Sequence, residues 1–175
     1  MLIISHRGNI VGTNPSRENS PEYILEAISQ GFDVEVDIWV LKVSDEEVSN
    51  QTQIYFGHDF PTYRVEESFI KKHNDKIWFH AKNLEALEYC LLQTEHTFWH
   101  ENDTRTITSN GYIWTYPGRQ VGVFSILVLT EEVGVLHLPL PDCAGICTDF
   151  ALMHRNVINE FKKYISVLEN SDMGS

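Results

Sequence analysis

Two histidines, an arginine and two closely spaced carboxylates sit in four short polar clusters: Ser5-His6-Arg7-Gly8, Arg17-Glu18-Asn19-Ser20, Glu35-Val36-Asp37 and Gly57-His58-Asp59. Imidazoles titrate near neutrality, so His6 and His58 can serve proton transfer in both directions. Arg7 offers a fixed fork of donors to an anion. Glu35 and Asp37, two residues apart in a strand, share one face and can close on one ion. That inventory suits metal-assisted phosphodiester chemistry.

The elements that must position these residues read as short strands with a few helices. Leu2 to Ser5 is the first strand and leads straight into His6. Ser20 suits an N-cap with Pro21 in the first turn, and Tyr23, Ile24, Ala27 and Ile28 recur at helical spacing to about Gln30, where Gly31 stops the helix. Phe32 to Leu41 alternates, with Val34, Val36 and Ile38 on one face and Glu35 and Asp37 on the other. Further strands are expected at 54–56, 76–79, 96–99, 112–114, 125–129 and 145–148, and helices at 65–72, 84–93 and 150–168. Residues 99–143 carry no helical pattern. Residues 1–169 are expected to form one domain, with 170–175 a disordered tail.

Composition narrows the function classes. A formal net charge of -12 argues against a nucleic-acid surface, since the longest basic run is a pair. An anionic substrate would need a local positive potential, which a metal ion with Arg7 and Lys82 would supply. The N-terminus lacks a basic region followed by a long apolar stretch, and removing a leader would remove His6, so a cytoplasmic location is expected. No apolar run reaches the roughly 18 residues of a membrane span. Cys90, Cys143 and Cys147 form no CxxC pair and are expected as reduced thiols. The sequence carries no signal for an oligomeric state.

In order and spacing the four clusters resemble the N-terminal signature of the glycerophosphodiester phosphodiesterases, among the phospholipase C-like phosphodiesterase barrels. A regular (β/α) barrel takes about 250 residues, so the resemblance implies a shortened TIM-type α/β barrel with several crossover helices reduced to loops. It implies His6 and His58 as the acid and base pair and Arg7 and Lys82 as phosphate contacts. It also implies Glu35 and Asp37 as metal ligands, with Glu18 near the same ion, and hard oxygen donors suit Mg2+ or Ca2+. Where the family carries Glu-x-Lys on the next strand, this chain has His80-Ala81-Lys82. Lys82 matches, whereas His80 stands in place of a third carboxylate. Glu101 or Asp103 are then candidates to restore the lost charge.

Downstream, Tyr112-Ile113-Trp114-Thr115-Tyr116-Pro117-Gly118 resembles the aromatic strand end that closes the family's pocket, which implies Trp114 and Tyr116 against a glycerol or sugar face. Gly145-Ile146-Cys147-Thr148-Asp149 resembles the final strand, ending in Thr-Asp at the catalytic mouth. The expected activity is metal-dependent hydrolysis of a small phosphodiester of a glycerol-type or sugar-type alcohol. One alternative is a phosphate- or glycan-binding relative with little turnover, which His80 favours. Another is a lyase that stops at a cyclic phosphate.

Overall fold

The computed structural model describes residues 1–45, 48–130 and 141–172. In chain order its elements are β1 (Leu2–His6), α1 (Pro21–Ser29), β2 (Asp33–Asp45), β3 (Val48–Phe56), β4 (Tyr63–Val65), α2 (Glu67–His73) and β5 (Ile77–Ala81). There follow α3 (Leu84–Gln93), β6 (His96–Phe98), β7 (Arg105–Ile107), β8 (Ile113–Thr115), β9 (Ser125–Leu129), β10 (Gly145–Thr148) and α4 (Ala151–Asp172). Local chemistry sets the helix starts. The Ser20 hydroxyl accepts the Tyr23 N–H at 3.3 Å, with Pro21 opening α1, and the Asn83 side chain accepts the Ala86 N–H at 3.1 Å to open α3.

The expected shortened TIM-type barrel does not form. Among the described residues the chain builds one curled mixed sheet of ten strands, a half-barrel, and its four helices do not alternate with the strands. Seven neighbouring strands, in the order β6-β5-β2-β1-β10-β9-β8, run parallel, while β3, β4 and β7 are antiparallel to their neighbours. The departure has two local causes. After β2 the chain turns into antiparallel β3 and β4 rather than a crossover helix, and the polar residues from Trp99 to Gly122 give only the β7–β8 pair. As a result β6 pairs with β5 alone and β7 with β8 alone, so the described ladders leave the cylinder open there. Loop bonds bridge that gap, with Ser109 N–H donating to the Thr97 carbonyl at 2.7 Å.

Strand alternation sorts the core into two faces. Val34, Val36 and Ile38 of β2 and Ile77 and Phe79 of β5 point outward and pack with Ile24 and Ala27 of α1 and Ala86 and Cys90 of α3. Ile4, Trp78, Phe98, Trp114, Ile126, Val128 and Cys147 face the inside of the curl. A smaller cluster of Leu129, Ile146 and Ile158 seats α4. Cys90 and Cys147 are buried free thiols and Cys143 is half-buried.

Most element positions follow the sequence pattern, and the exceptions are instructive. β9, β10 and α3 have the expected ends. β3 begins at Val48 rather than 54, because pairing with β2 recruits polar residues that have little strand propensity of their own. β4 and β7 are three-residue strands that carry no readable alternation. α4 extends to Asp172, through the start of the expected tail; residues 173–175 and His137 lie outside the described residues. Among the described residues no helix is long and apolar enough to cross a membrane.

Candidate active site

Register brings the polar clusters together at the carboxyl ends of the parallel strands, where open α/β sheets hold their ligands. His6 of β1 lies opposite Glu35 of β2, Asp37 lies opposite His80 of β5, and His80 lies opposite Phe98 of β6. Each of these side chains faces inward because it is an even number of residues from its neighbours on the same face. On the other side of β1, Ser5 pairs with Thr148, so the next residues along, His6 and Asp149, come side by side.

Beyond β1 the chain bends sharply. Arg7 adopts a left-handed conformation at φ 53 and Gly8 follows at φ 92, where a Cβ would sit 2.8 Å from the Tyr23 ring. Asn19, also left-handed at φ 64, donates its backbone N–H to the Arg7 carbonyl at 3.0 Å. Its side chain then grips Asp37 twice: Oδ1 accepts the Asp37 N–H at 3.0 Å and Nδ2 donates to Oδ2 at 3.0 Å. Gly57, at φ 149, lets the loop carrying His58 pass against the Phe60 carbonyl, which a Cβ would meet at 2.1 Å.

The carboxylates are deeply placed, Glu35 at 2% exposure and Asp37 at 0%. Around Asp37 stand Arg7 Nε at 3.0 Å from Oδ2, and His80 Nδ1 at 3.1 Å and Lys82 Nζ at 3.4 Å from Oδ1. Burial opposes ionisation of Asp37, but the bond with His80 and the charges of Arg7 and Lys82 prevail and hold its carboxyl far below the usual carboxylate range. Glu35 is driven the other way, raised by burial and by repulsion from Asp37. His80 Nδ1 is 3.8 Å from Glu35 Oε1. Arg7 Nη1 reaches Glu18 Oε2 at 3.3 Å, and Asn9 ties Glu18 at 2.9 Å to Asp149 at 2.8 Å.

His6 is anchored by Asp149, Nδ1 to Oδ1 at 2.7 Å, which turns Nε2 toward Glu35 Oε2 at 3.9 Å. Burial would lower the His6 pKa, yet the Asp149 bond and the Glu35 charge outweigh it and raise it. His58 is more open, its Nδ1 2.6 Å from Asp59 Oδ1, and partial burial lowers its pKa. Both imidazoles line one cavity of about 480 Å³ together with Arg7, Glu35, His80 and Lys82.

No protein-family model, curated protein or solved structure matches the chain.

The chemistry of the donor set therefore decides what this cavity can hold. Ligand atoms of Glu35, Asp37 and His80 all lie within 4.8 Å of one another. Glu35 Oε2 is buried without a hydrogen-bond partner, and an ion would satisfy it while also meeting Asp37 Oδ1, which already faces His80 and Lys82. A divalent cation fits these residues.

Of the residues singled out from sequence, His6, His58, Arg7, Lys82, Glu35, His80, Glu18, Glu101, Trp114 and Tyr116 all line the cavity. Asp37 lies beneath it against His80. Glu18 and Glu101 stand outside the three-residue ligand group, and Asp103 is exposed and outside both group and cavity lining. Trp114 belongs equally to the inner core, stacked on Phe98 at 4.4 Å.

Sequence reasoning gave no role to Asn9, Asn19 or His100. Asn19 stands in one of the four polar clusters, but the left-handed backbone that asparagine tolerates is visible only in the structure. His100 stacks on His80 at 4.6 Å and its Nε2 is 2.7 Å from the Tyr116 hydroxyl; burial pulls its pKa down to about 4, so it is neutral near pH 7. Its position just past β6, on the same side as His80, was the only signal available.

Proposed function

We propose that this chain is a phosphoric diester hydrolase acting on a small phosphodiester of a glycerol-type or sugar-type alcohol, as the resemblance of its motifs implies. The observation that carries the reading is the convergence of His6, His58, Arg7, Lys82, Glu35 and His80 on one cavity, with Asp37 in contact with His80.

Arg7 and Lys82 supply positive charge for the phosphate. Arg7 Nη1 donates to Glu18 and Nε forms an ion-pair contact with Asp37, and the fork retains further N–H donors for a non-bridging oxygen. Glu35, Asp37 and His80 would hold a divalent ion, which when bound would neutralise charge developing on the phosphoryl oxygens. His58, with its pKa lowered, supports the role of base and takes a proton from the attacking water, whose oxygen forms the new P–O bond. His6, with its pKa raised and its ring set by Asp149, supports the role of acid. Through Nε2 it gives a proton to the leaving alcohol oxygen as the P–O bond breaks. Two imidazoles pushed in opposite directions by their surroundings are suited to opposite proton roles.

Turnover by the full chain of a glycerol phosphodiester, followed by 31P NMR, tests this reading, because an alkoxide leaving group needs the proton that His6 would give. His6→Ala and His58→Ala should each slow it by roughly two to four orders of magnitude, with the circular dichroism unchanged. A wild-type rate in either folded variant removes the acid and base assignment. With a diester that carries a neighbouring hydroxyl, a persistent cyclic phosphate in the 31P NMR spectrum would identify a lyase instead.

A further inference from the structure

The third member of the ligand group is a nitrogen, and that bears on which ion the group takes. This step rests on the metal-site reading above. Two donors on one ion, each 2.0–2.2 Å from it, lie no more than about 4.4 Å apart. His80 Nδ1 meets that limit with both carboxylates, at 3.1 Å from Asp37 Oδ1 and 3.8 Å from Glu35 Oε1.

Its ring is also held in place. His80 stacks on Phe98 at 4.9 Å and on His100 at 4.6 Å, each within 10° of parallel, so a nitrogen is presented to the carboxylates before any ion arrives. Oxygen donors are scarce by comparison. Glu18 is tied to Arg7 and Asn9, and Glu101 and Asp103 stand outside the group. Calcium takes 6–8 oxygens and magnesium favours oxygen throughout, whereas imidazole suits zinc and its first-row neighbours.

We propose that Glu35, Asp37 and His80 form a site for a nitrogen-accepting first-row ion, of the Zn2+ and Co2+ type, with His80 Nδ1 as a direct ligand. Lys82, 3.4 Å from Asp37 Oδ1, weakens binding of every divalent cation alike. The informative quantity is therefore the ratio of affinities. Zinc also binds stray surface imidazoles, and the chain has 8 histidines, which makes the ratio in a His80 variant the deciding one.

Calorimetric titration of the metal-free full chain with Zn2+, Co2+, Mg2+ and Ca2+ should give a Zn2+-to-Mg2+ affinity ratio that falls at least tenfold in His80→Glu. The chain loaded with one equivalent of Co2+ should show a hyperfine-shifted, exchangeable imidazole N–H proton by NMR. That signal should vanish in His80→Asn, which serves equally if His80→Glu does not fold. An unchanged ratio, or a Co2+ spectrum without such a proton, overturns the inference. If Mg2+ or Ca2+ then still binds and Glu35→Gln removes that binding, the hydrolase reading stands with an oxygen-preferring ion. If none of the four ions binds, both the inference and the metal part of that reading fall.

Discussion

Asn19 is the side chain on which the placement of Asp37 depends most directly, and its removal has a calculable cost. Replacing it with alanine deletes a bond to a charged acceptor, about 1.5–3 kcal/mol, and leaves the buried Asp37 N–H without a partner, about 1–3 kcal/mol. Alanine at φ 64 adds about 1–2 kcal/mol of left-handed strain that asparagine partly escapes. With some local relaxation, Asn19→Ala should cost about 3–5 kcal/mol, a large share of the roughly 5–15 kcal/mol typical of a domain. Glycine loses the same bonds but not the strain, so Asn19→Gly should be the more stable of the two by about 0.5–1 kcal/mol. Asn19→Asp keeps the acceptor and sets a second carboxylate 3.0 Å from Asp37 Oδ2. At an effective dielectric of about 20 that repulsion is roughly 5 kcal/mol, and taking up a proton relieves it. Urea unfolding at pH 8 and pH 5 measures all three. Asn19→Ala within 1 kcal/mol of wild type, or above Asn19→Gly, would refute the claim that this asparagine holds the site.

Two further variants probe the same cavity. The double amide Glu35→Gln/Asp37→Asn should abolish thermal stabilisation by divalent ions, which mass action otherwise imposes on any protein that binds them in its folded state; an unchanged shift in a melting assay would move the ion elsewhere. The raised pKa of His6 means that its charged form is favoured by folding, so its contribution to stability is full below the unfolded value of 6.5 and is lost as pH rises through the folded value. Asp149→Asn removes the main contact that raises it, so the stability gap between wild type and variant should shrink between pH 6 and pH 9 in urea titrations. A constant gap would show that the bond does not bias His6 protonation.

Several parts of this architecture were open to reading because local signals and tertiary demands agree. Strand period alone placed Glu35 and Asp37 on one face, and they do face the inside of the curl beside His6 and His80. Ser20 and Asn83 mark the starts of α1 and α3 through bonds made within a few residues. Closure of the sheet was not readable. The early succession of β1, α1 and β2, and of β5, α3 and β6, resembles barrel units, but whether β6 finds a second neighbour depends on distant segments. The role of Asp149 was hidden for the same reason. Its bond to His6 spans 143 positions and exists only because β10 lies next to β1. Asn9 and Asn19 act through side-chain bonds to other buried polar groups, which no periodicity encodes.

Charge explains how a strongly acidic chain can present a cavity suited to an anion. The net charge of -12 is a property of the whole surface, whereas a ligand in the pocket meets Arg7, Lys82, His6 and His58 at close range. Arg7 and Lys82 need buried counter-charges to stay in place, and Asp37 provides one to both at once. Burial alone raises the pKa of a carboxyl, and the opposite shifts of Asp37 and Glu35 record that Asp37 has the stronger positive surroundings. Those of Glu35 are weaker, and its Oε2 has no hydrogen bond, so the unmet demand for positive charge is localised on it. That demand, set beside a prearranged imidazole nitrogen, is the physical reason to look for an ion at this point of the cavity rather than among the exposed carboxylates elsewhere on the chain.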